Sequence, residues 1–195
     1  MSVRETAARA YREGLPALAT SVFGGLLAGV VLGGMRAELR AVPGLLVLVP
    51  ALLATRGNVY GSLGARLSTA LHQGLIRPRF RGDERLRRAV AAALANGLLA
   101  SGFAACVAFL VLARTGRCVA GPHVLLGVAL LSGLLSGVAL ATVVVVAVFL
   151  GFRRGYNPDT VVGPVVTTAG DVFGVAFLLL AARAVLLVAE GGCFA

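Results

Sequence analysis

Long apolar runs alternate with short arginine-bearing segments along this chain, at about Leu15–Met35, from Val42 into the fifties and beyond, and at Val90–Leu112, Val124–Leu150 and Val161–Ala189. Each reaches the roughly 20 residues that an α-helix needs to cross a hydrocarbon core of about 30 Å. The pattern therefore predicts an all-α, polytopic integral membrane protein with five transmembrane helices. It divides the chain into a short N-terminal segment (1–14), a five-helix domain (15–189) and a C-terminal tail (190–195). Arg4, Arg9 and Arg12 precede a first run of full spanning length, which is not the pattern of a cleavable signal peptide.

The second run is unlike the others. From Pro43 to Gln73 it allows about 31 helical residues, or roughly 46 Å, which exceeds the membrane core. Its first part is wholly apolar, whereas Asn58, Ser62, Arg66, Thr69 and Gln73 draw one polar stripe along its second part. The run either extends beyond the membrane or breaks near Pro50 and Arg56-Gly57-Asn58. The stripe reads either as the wetted face of a protruding helix end or as a pore-lining face, the latter best at Asn58 with Gly57 and Ser62 beside it.

Composition supports the membrane assignment. Of 195 residues 58% are hydrophobic and 13% charged, with mean hydropathy +0.93, against about 25% charged in soluble domains. The net charge of +10 comes from arginine alone, since the chain has no lysine. There is no tryptophan, and few aromatics interleave the basic runs, so the stacking platforms of a nucleic-acid binder are missing. The basic segments suit anionic headgroups and topology instead. With the N-terminus cytoplasmic, inner segments carry Arg4, Arg9, Arg12, Arg77, Arg79, Arg81, Arg85, Arg87, Arg88, Arg153 and Arg154, and outer segments only Arg36, Arg40, Arg114 and Arg117. That asymmetry predicts a multi-pass cell-membrane protein whose C-terminus is extracytoplasmic.

Small residues recur at helix-packing spacing in Gly25/Gly29/Gly33, Gly57/Gly61, Gly133/Gly137 and Gly170/Gly174, which predicts close helix approach. No internal repeat is evident. Many transporters place two related halves around a midplane site, and here a symmetric dimer would supply the second half.

Chemistry concentrates in the last run. Asp171 is the one acid that any predicted span places near the bilayer middle, where a carboxylate costs roughly 2.5–3.5 kcal/mol on insertion scales. Such a group takes a cation or proton, or else is satisfied by helix packing. Thr167 lies one turn away on the same face, and Gly163 and Gly174 leave that face bare, exposing carbonyls. A carboxylate, a hydroxyl, an amide and carbonyls suit a hard cation such as Mg2+. No cysteine or histidine stands at ligand spacing to Asp171, so zinc and copper do not fit; His72 and His123 read as interfacial residues. No nucleophile–base pair or carboxylate cluster points to an enzyme.

Two stretches resemble a known family. Asn157-Pro158-Asp159 followed by Gly163-Pro164-Val165-Val166-Thr167-Thr168-Ala169-Gly170-Asp171-Val172-Phe173-Gly174 is similar to the last-helix signature of the MgtE magnesium transporters and channels. Val49-Pro50-Ala51-Leu52-Leu53-Ala54-Thr55-Arg56-Gly57-Asn58-Val59-Tyr60-Gly61 resembles the family's second-helix motif, and with Ala65 to Thr69 is most similar to the archaeal and animal solute-carrier branch. The resemblance implies a homodimer with a central pore. In it Asp171 of each subunit binds a largely hydrated Mg2+, flanked by Thr167, Gly163 and Gly174, with Asn58 facing the pore.

Two departures stand out. Bacterial members carry long cytosolic sensor domains that gate the pore, whereas only residues 1–14 precede the first span here. Arg56 occupies a position where the bacterial pattern usually has a small residue, which predicts altered pore electrostatics. Passive transport, exchange for Na+ or H+, and a non-transporting assembly subunit all remain compatible with the residues. Cys106 is predicted to pack mid-span as a small hydrophobe. Cys118 and Cys193 are predicted on one outer face, where a disulfide competes with two free thiols.

Overall fold

A computed structural model describes residues 3–78, 83–154, 158–188 and 193–194 of the chain. The helices are α1 (Val3–Gly34), α2 (Arg36–Ala41), α3 (Leu45–His72), α4 (Glu84–Arg114), α5 (Pro122–Arg153) and α6 (Pro158–Leu186). The two short strands, β1 (Val119–Ala120) and β2 (Cys193–Phe194), pair antiparallel with Val119 opposite Phe194 and Ala120 opposite Cys193. The protein is thus an all-helical bundle with one small ribbon.

Among the described residues, four helices are long and apolar enough to cross a membrane: α3, α4, α5 and α6 over Val162–Leu186. The apolar part of α1 found among the described residues, Leu18–Gly34, is shorter. α1 runs continuously from Val3, so the N-terminal segment and the first apolar run share one helix. Outward-facing Leu99, Phe103, Leu110 and Val138 are exposed on α4 and α5, as suits a surface solvated by lipid tails.

Local signals set the helix limits. Asp83 caps α4 by accepting from the backbone N–H groups of Arg85 (2.9 Å) and Leu86 (3.3 Å). Pro122 opens α5, where its missing N–H costs no bond. Gly44 precedes α3 with φ +96°, and a Cβ there would lie 2.9 Å from Leu112 Cδ1. Only glycine fits both demands. Pro50 and the Arg56-Gly57-Asn58 segment do not break α3, which is one helix of 28 residues, about 42 Å long. Of the two alternatives for the second run, the long continuous helix is the one observed.

Packing divides the bundle into two apolar clusters with a polar layer between them. One cluster joins Met35, Val42, Leu45, Leu48 and Leu52 to Leu112, Val119, Leu125, Val128, Leu178 and Ala182. The other joins Leu63, Leu67 and Leu71 to Leu86, Leu140, Val144, Phe149, Val162 and Val166. Between them lie Arg56 on α3, Asn96 and Ser101 on α4, Ser132 and Ser136 on α5, and Gly170, Asp171 and Gly174 on α6. Each long helix from α3 to α6 changes from apolar to polar or glycine at the same height.

The small residues do not all serve internal packing. Gly133 meets Ser101, Gly137 meets Tyr60 and Leu94, and Gly64 meets Val162. Gly25, Gly29 and Gly33 have nothing within 4 Å of a would-be Cβ, so that stripe packs against nothing within the described chain. Cys106 is exposed on α4 rather than packed inside the bundle; its position falls on the outer stripe beside Phe103 and Leu110. Cys118 is bonded in a disulfide. The Cys193 side chain lies outside the described residues, although its backbone pairs with Ala120.

Candidate cation site

α3 and α6 pack antiparallel: Gly64 abuts Val162, while Leu53 and Arg56 abut Gly174. This register sets Asp171 level with the Arg56-Gly57-Asn58 segment. Gly57 and Gly61 on α3, and Gly163 and Gly170 on α6, have nothing within 4 Å of a would-be Cβ. Asn58, Ser62, Gly163 and Thr167 are exposed, and Asp171 is half-buried. The two helices therefore present adjoining faces that are bare of side-chain contacts at mid-height, with a carboxylate set into one of them.

On α6, Thr167 Oγ1 donates to Gly163 O at 2.9 Å, which leaves the hydroxyl oxygen able to accept from a hydrated cation's water or to ligate. Thr168, on the neighbouring face, packs on Gly24 of α1 and so ties α1 to this helix. Gly174 differs from Gly163. It is buried beneath α3, and a Cβ there would lie 2.6 Å from Leu53 Cδ2 and 2.9 Å from Arg56 Nη1. Its bareness makes room for Arg56. Asn157 lies outside the described residues.

Asn58 and Ser62 also line a cleft of about 260 Å³ between α3 and α4, together with Arg66 and Asn96. Asn96 was not singled out in the sequence, although a lone amide in the apolar Val90–Leu112 run is itself a signal. The polar stripe of α3 is exposed from Asn58 through Thr69, so it forms a wet or partner-facing side of the helix.

Arg56 lies inside the bundle, 4% exposed, and not on the bare face. Its Nη2 donates to Ser132 Oγ of α5 at 3.0 Å. Among the described residues the ion pairs are Arg87–Glu84, Arg88–Glu84 and Arg183–Glu38. Arg183 thus pairs with α2, at 2.7 Å, and not with Asp171. That guanidinium holds the Glu38 carboxyl below its ordinary range, chiefly through the hydrogen bond it donates. No group of three or more His, Cys, Asp or Glu side chains that could hold a metal occurs among the described residues. One carboxylate per chain is what this face offers. His72 Nδ1 lies 2.8 Å from Ser68 O and its ring meets Phe152 edge-on.

The family model for the MgtE divalent cation transporter matches residues 49–181, from the start of the second-helix motif past Gly174. The chain belongs to the MgtE divalent cation transporter family. Relatives include solute carrier family 41 member 2 of Homo sapiens and of Macaca fascicularis, each 30% identical over 172 residues. The protein of Mus musculus is equally similar. The match covers 80% of this chain but 28% of each human and macaque relative, so the chain spans less than a third of their length. The matched family is one of divalent cation transporters and not of enzymes.

Proposed function

We propose that this MgtE-family chain moves Mg2+ across a cell membrane through a two-fold homodimer whose Asp171 carboxylates face one ion at mid-membrane. The observation that carries the reading is the half-buried Asp171, level with Asn58, beside helix faces that Gly57, Gly61 and Gly163 leave bare. A carboxylate at mid-height with no basic partner within 4.0 Å among the described residues needs a cation to offset its desolvation. Two of them, related by a dyad, balance a divalent charge. Mg2+ sheds water reluctantly, so carboxylate, Thr167 hydroxyl and glycine carbonyls act largely through retained waters. Asn58, Gly57 and Ser62 line the path from α3.

In this reading the apolar end of α1 supplies a fifth span, with the N-terminus cytoplasmic and the C-terminus outside. The basic α3–α4 and α5–α6 connections then face anionic cytoplasmic headgroups.

Purified protein reconstituted in vesicles tests the proposal through Mg2+ flux, read with and without Na+ and pH gradients. Flux that persists without gradients identifies a passive pathway; flux that requires one identifies exchange. Wild-type flux in Asp171→Asn, or a protein that is monomeric in bilayers, overturns the assignment.

A further inference from the structure

Arg56 is a buried cation without a counter-ion among the described residues. Its Nε and Nη1 have no acceptor, and only Nη2 is satisfied, by Ser132 Oγ at 3.0 Å. Ser132 is itself committed, donating to Ala129 O. Tyr60, one turn along α3, turns its hydroxyl toward Gly97 and Gly137 and also lacks a partner. An uncompensated guanidinium in such a place costs several kcal/mol, and arginine does not shed its proton to escape the cost.

Among the described residues a single acid, Asp171, lies in the same layer. Arg56 Nη1 sits against Gly174, where a Cβ would approach to 2.9 Å, and Asp171 precedes Gly174 by three residues. Positions three apart on a helix are about 5–6 Å apart at Cβ. The unsatisfied edge of Arg56 and the carboxylate of Asp171 are therefore separated by about one helical turn, without touching. Gly174 and Gly163 lie on one face of α6, which α3 covers at Gly174 and leaves bare at Gly163, so the carboxylate stands within about a turn of both a tethered cation and the bare stretch.

We propose that Arg56 is the internal counter-cation of Asp171: it takes the carboxylate when the site is empty and yields it when a divalent cation arrives. Gly174 has no Cβ to stand between the two side chains, so the pairing requires rotation of the Arg56 and Asp171 side chains toward each other. The empty site is then neutral, and the desolvation of both groups is offset. An entering cation exchanges one partner of Asp171 for another, and its affinity is set by that competition as well as by repulsion from Arg56. This inference rests on Asp171 being the ion site.

The test uses the full chain in mild detergent, with Mn2+ binding followed by electron paramagnetic resonance and thermal unfolding followed in chelator. Asp171→Asn should abolish Mn2+ binding at the site. Arg56→Met, which keeps length and removes charge, should tighten Mn2+ binding by about tenfold, given Coulomb energies at this separation. Arg56→Lys should stay near wild type. In chelator, Asp171→Asn should unfold about 2–4 °C or more below wild type, and the double variant Arg56→Met/Asp171→Asn should recover part of that loss.

Repulsion alone would tighten Mn2+ binding but would leave the two stability effects additive, so recovery in the double variant is the deciding outcome. Additive stabilities, or a double variant that fails to fold along with Arg56→Met, overturn the pairing. If Asp171→Asn still binds Mn2+ at the site, the ion-site reading fails. If it loses Mn2+ while stabilities are additive, the ion site stands and the counter-cation role falls.

Discussion

The closed end of the bundle and the bare α3–α6 face treat polar groups in opposite ways. At the closed end, Met35, Val42 and Leu45 are fully buried, Val119 and Ala120 nearly so, and the Ala120 N–H donates to Pro43 O at 2.8 Å. Glu38 is 7% exposed there, yet one of its oxygens accepts from Arg183 at 2.7 Å. Cys118 adds a covalent tie. On the bare face, Asp171 and Asn58 bond to no other side chain among the described residues, and four glycines meet nothing. A membrane protein cannot leave polar groups unpaired toward lipid without cost. The contrast therefore teaches that the closed end pairs its charged groups within the chain, leaving only Glu38 Oε2 without a partner, whereas in the proposed function the α3–α6 face is completed by a second subunit and a hydrated ion.

The sharpest break of that contrast is chemical. Asp171→Asn should lower Mg2+ flux in vesicles to the leak of empty ones while the protein still folds and elutes as wild type. The isosteric amide keeps shape and removes the charge that offsets ion dehydration. Retained flux would place the ion elsewhere.

Glycines give the next largest separation. Gly64→Ala puts a methyl group into Val162 and should destabilise by about 1–3 kcal/mol, read as a lower unfolding midpoint. Gly57→Ala and Gly163→Ala meet nothing within the chain and should leave stability unchanged or raise it by about 0.5–1 kcal/mol. Both should nevertheless reduce flux, because in the proposed dimer the methyl enters the path or the dyad contact. Equal destabilisation at all three positions would erase the distinction between the packed and bare faces.

Asn58→Ala is a milder probe of the same face. It removes a polar group level with Asp171 but no charge, so flux should fall several-fold without being lost, with the unfolding midpoint unchanged.

The smallest effect belongs to the closed end. Because Arg183 lowers the folded pKa of Glu38 from the ordinary 4.5, the pair's contribution is complete above that value. It is lost as pH falls through the lower folded one. Arg183 is 60% exposed, which screens the pair to under about 1 kcal/mol. Glu38→Gln should therefore lower the midpoint slightly at neutral pH and flatten its decline in acid. A steeper acid decline in the variant would show that Glu38 is not the titrating group.

Much of this architecture was legible in the residue pattern. Run length and hydropathy determine helices in a membrane, because lipid leaves the backbone no other way to satisfy its hydrogen bonds. The isolation of Asp171 among apolar residues, and the Gly57-Asn58 and Gly163–Gly174 motifs, were likewise sufficient to mark the candidate site and its family. One-dimensional spacing also gave Thr167 and Gly163 a common face with Asp171.

What only the tertiary structure decided is which neighbour each face meets. Gly174 and Gly163 are equivalent in the sequence, yet α3 crosses over the first and leaves the second bare. Arg56 belongs to the second-helix motif, but its side chain turns inward to Ser132 and Gly174, 76 residues and more away along the chain. The partnership of Glu38 with Arg183, 145 residues apart, is equally invisible to local spacing. Periodicity specifies the angle at which a side chain leaves its helix. Whether lipid, water, a second subunit or a buried charge lies at that angle depends on how the helices cross, and that follows from packing over the whole chain.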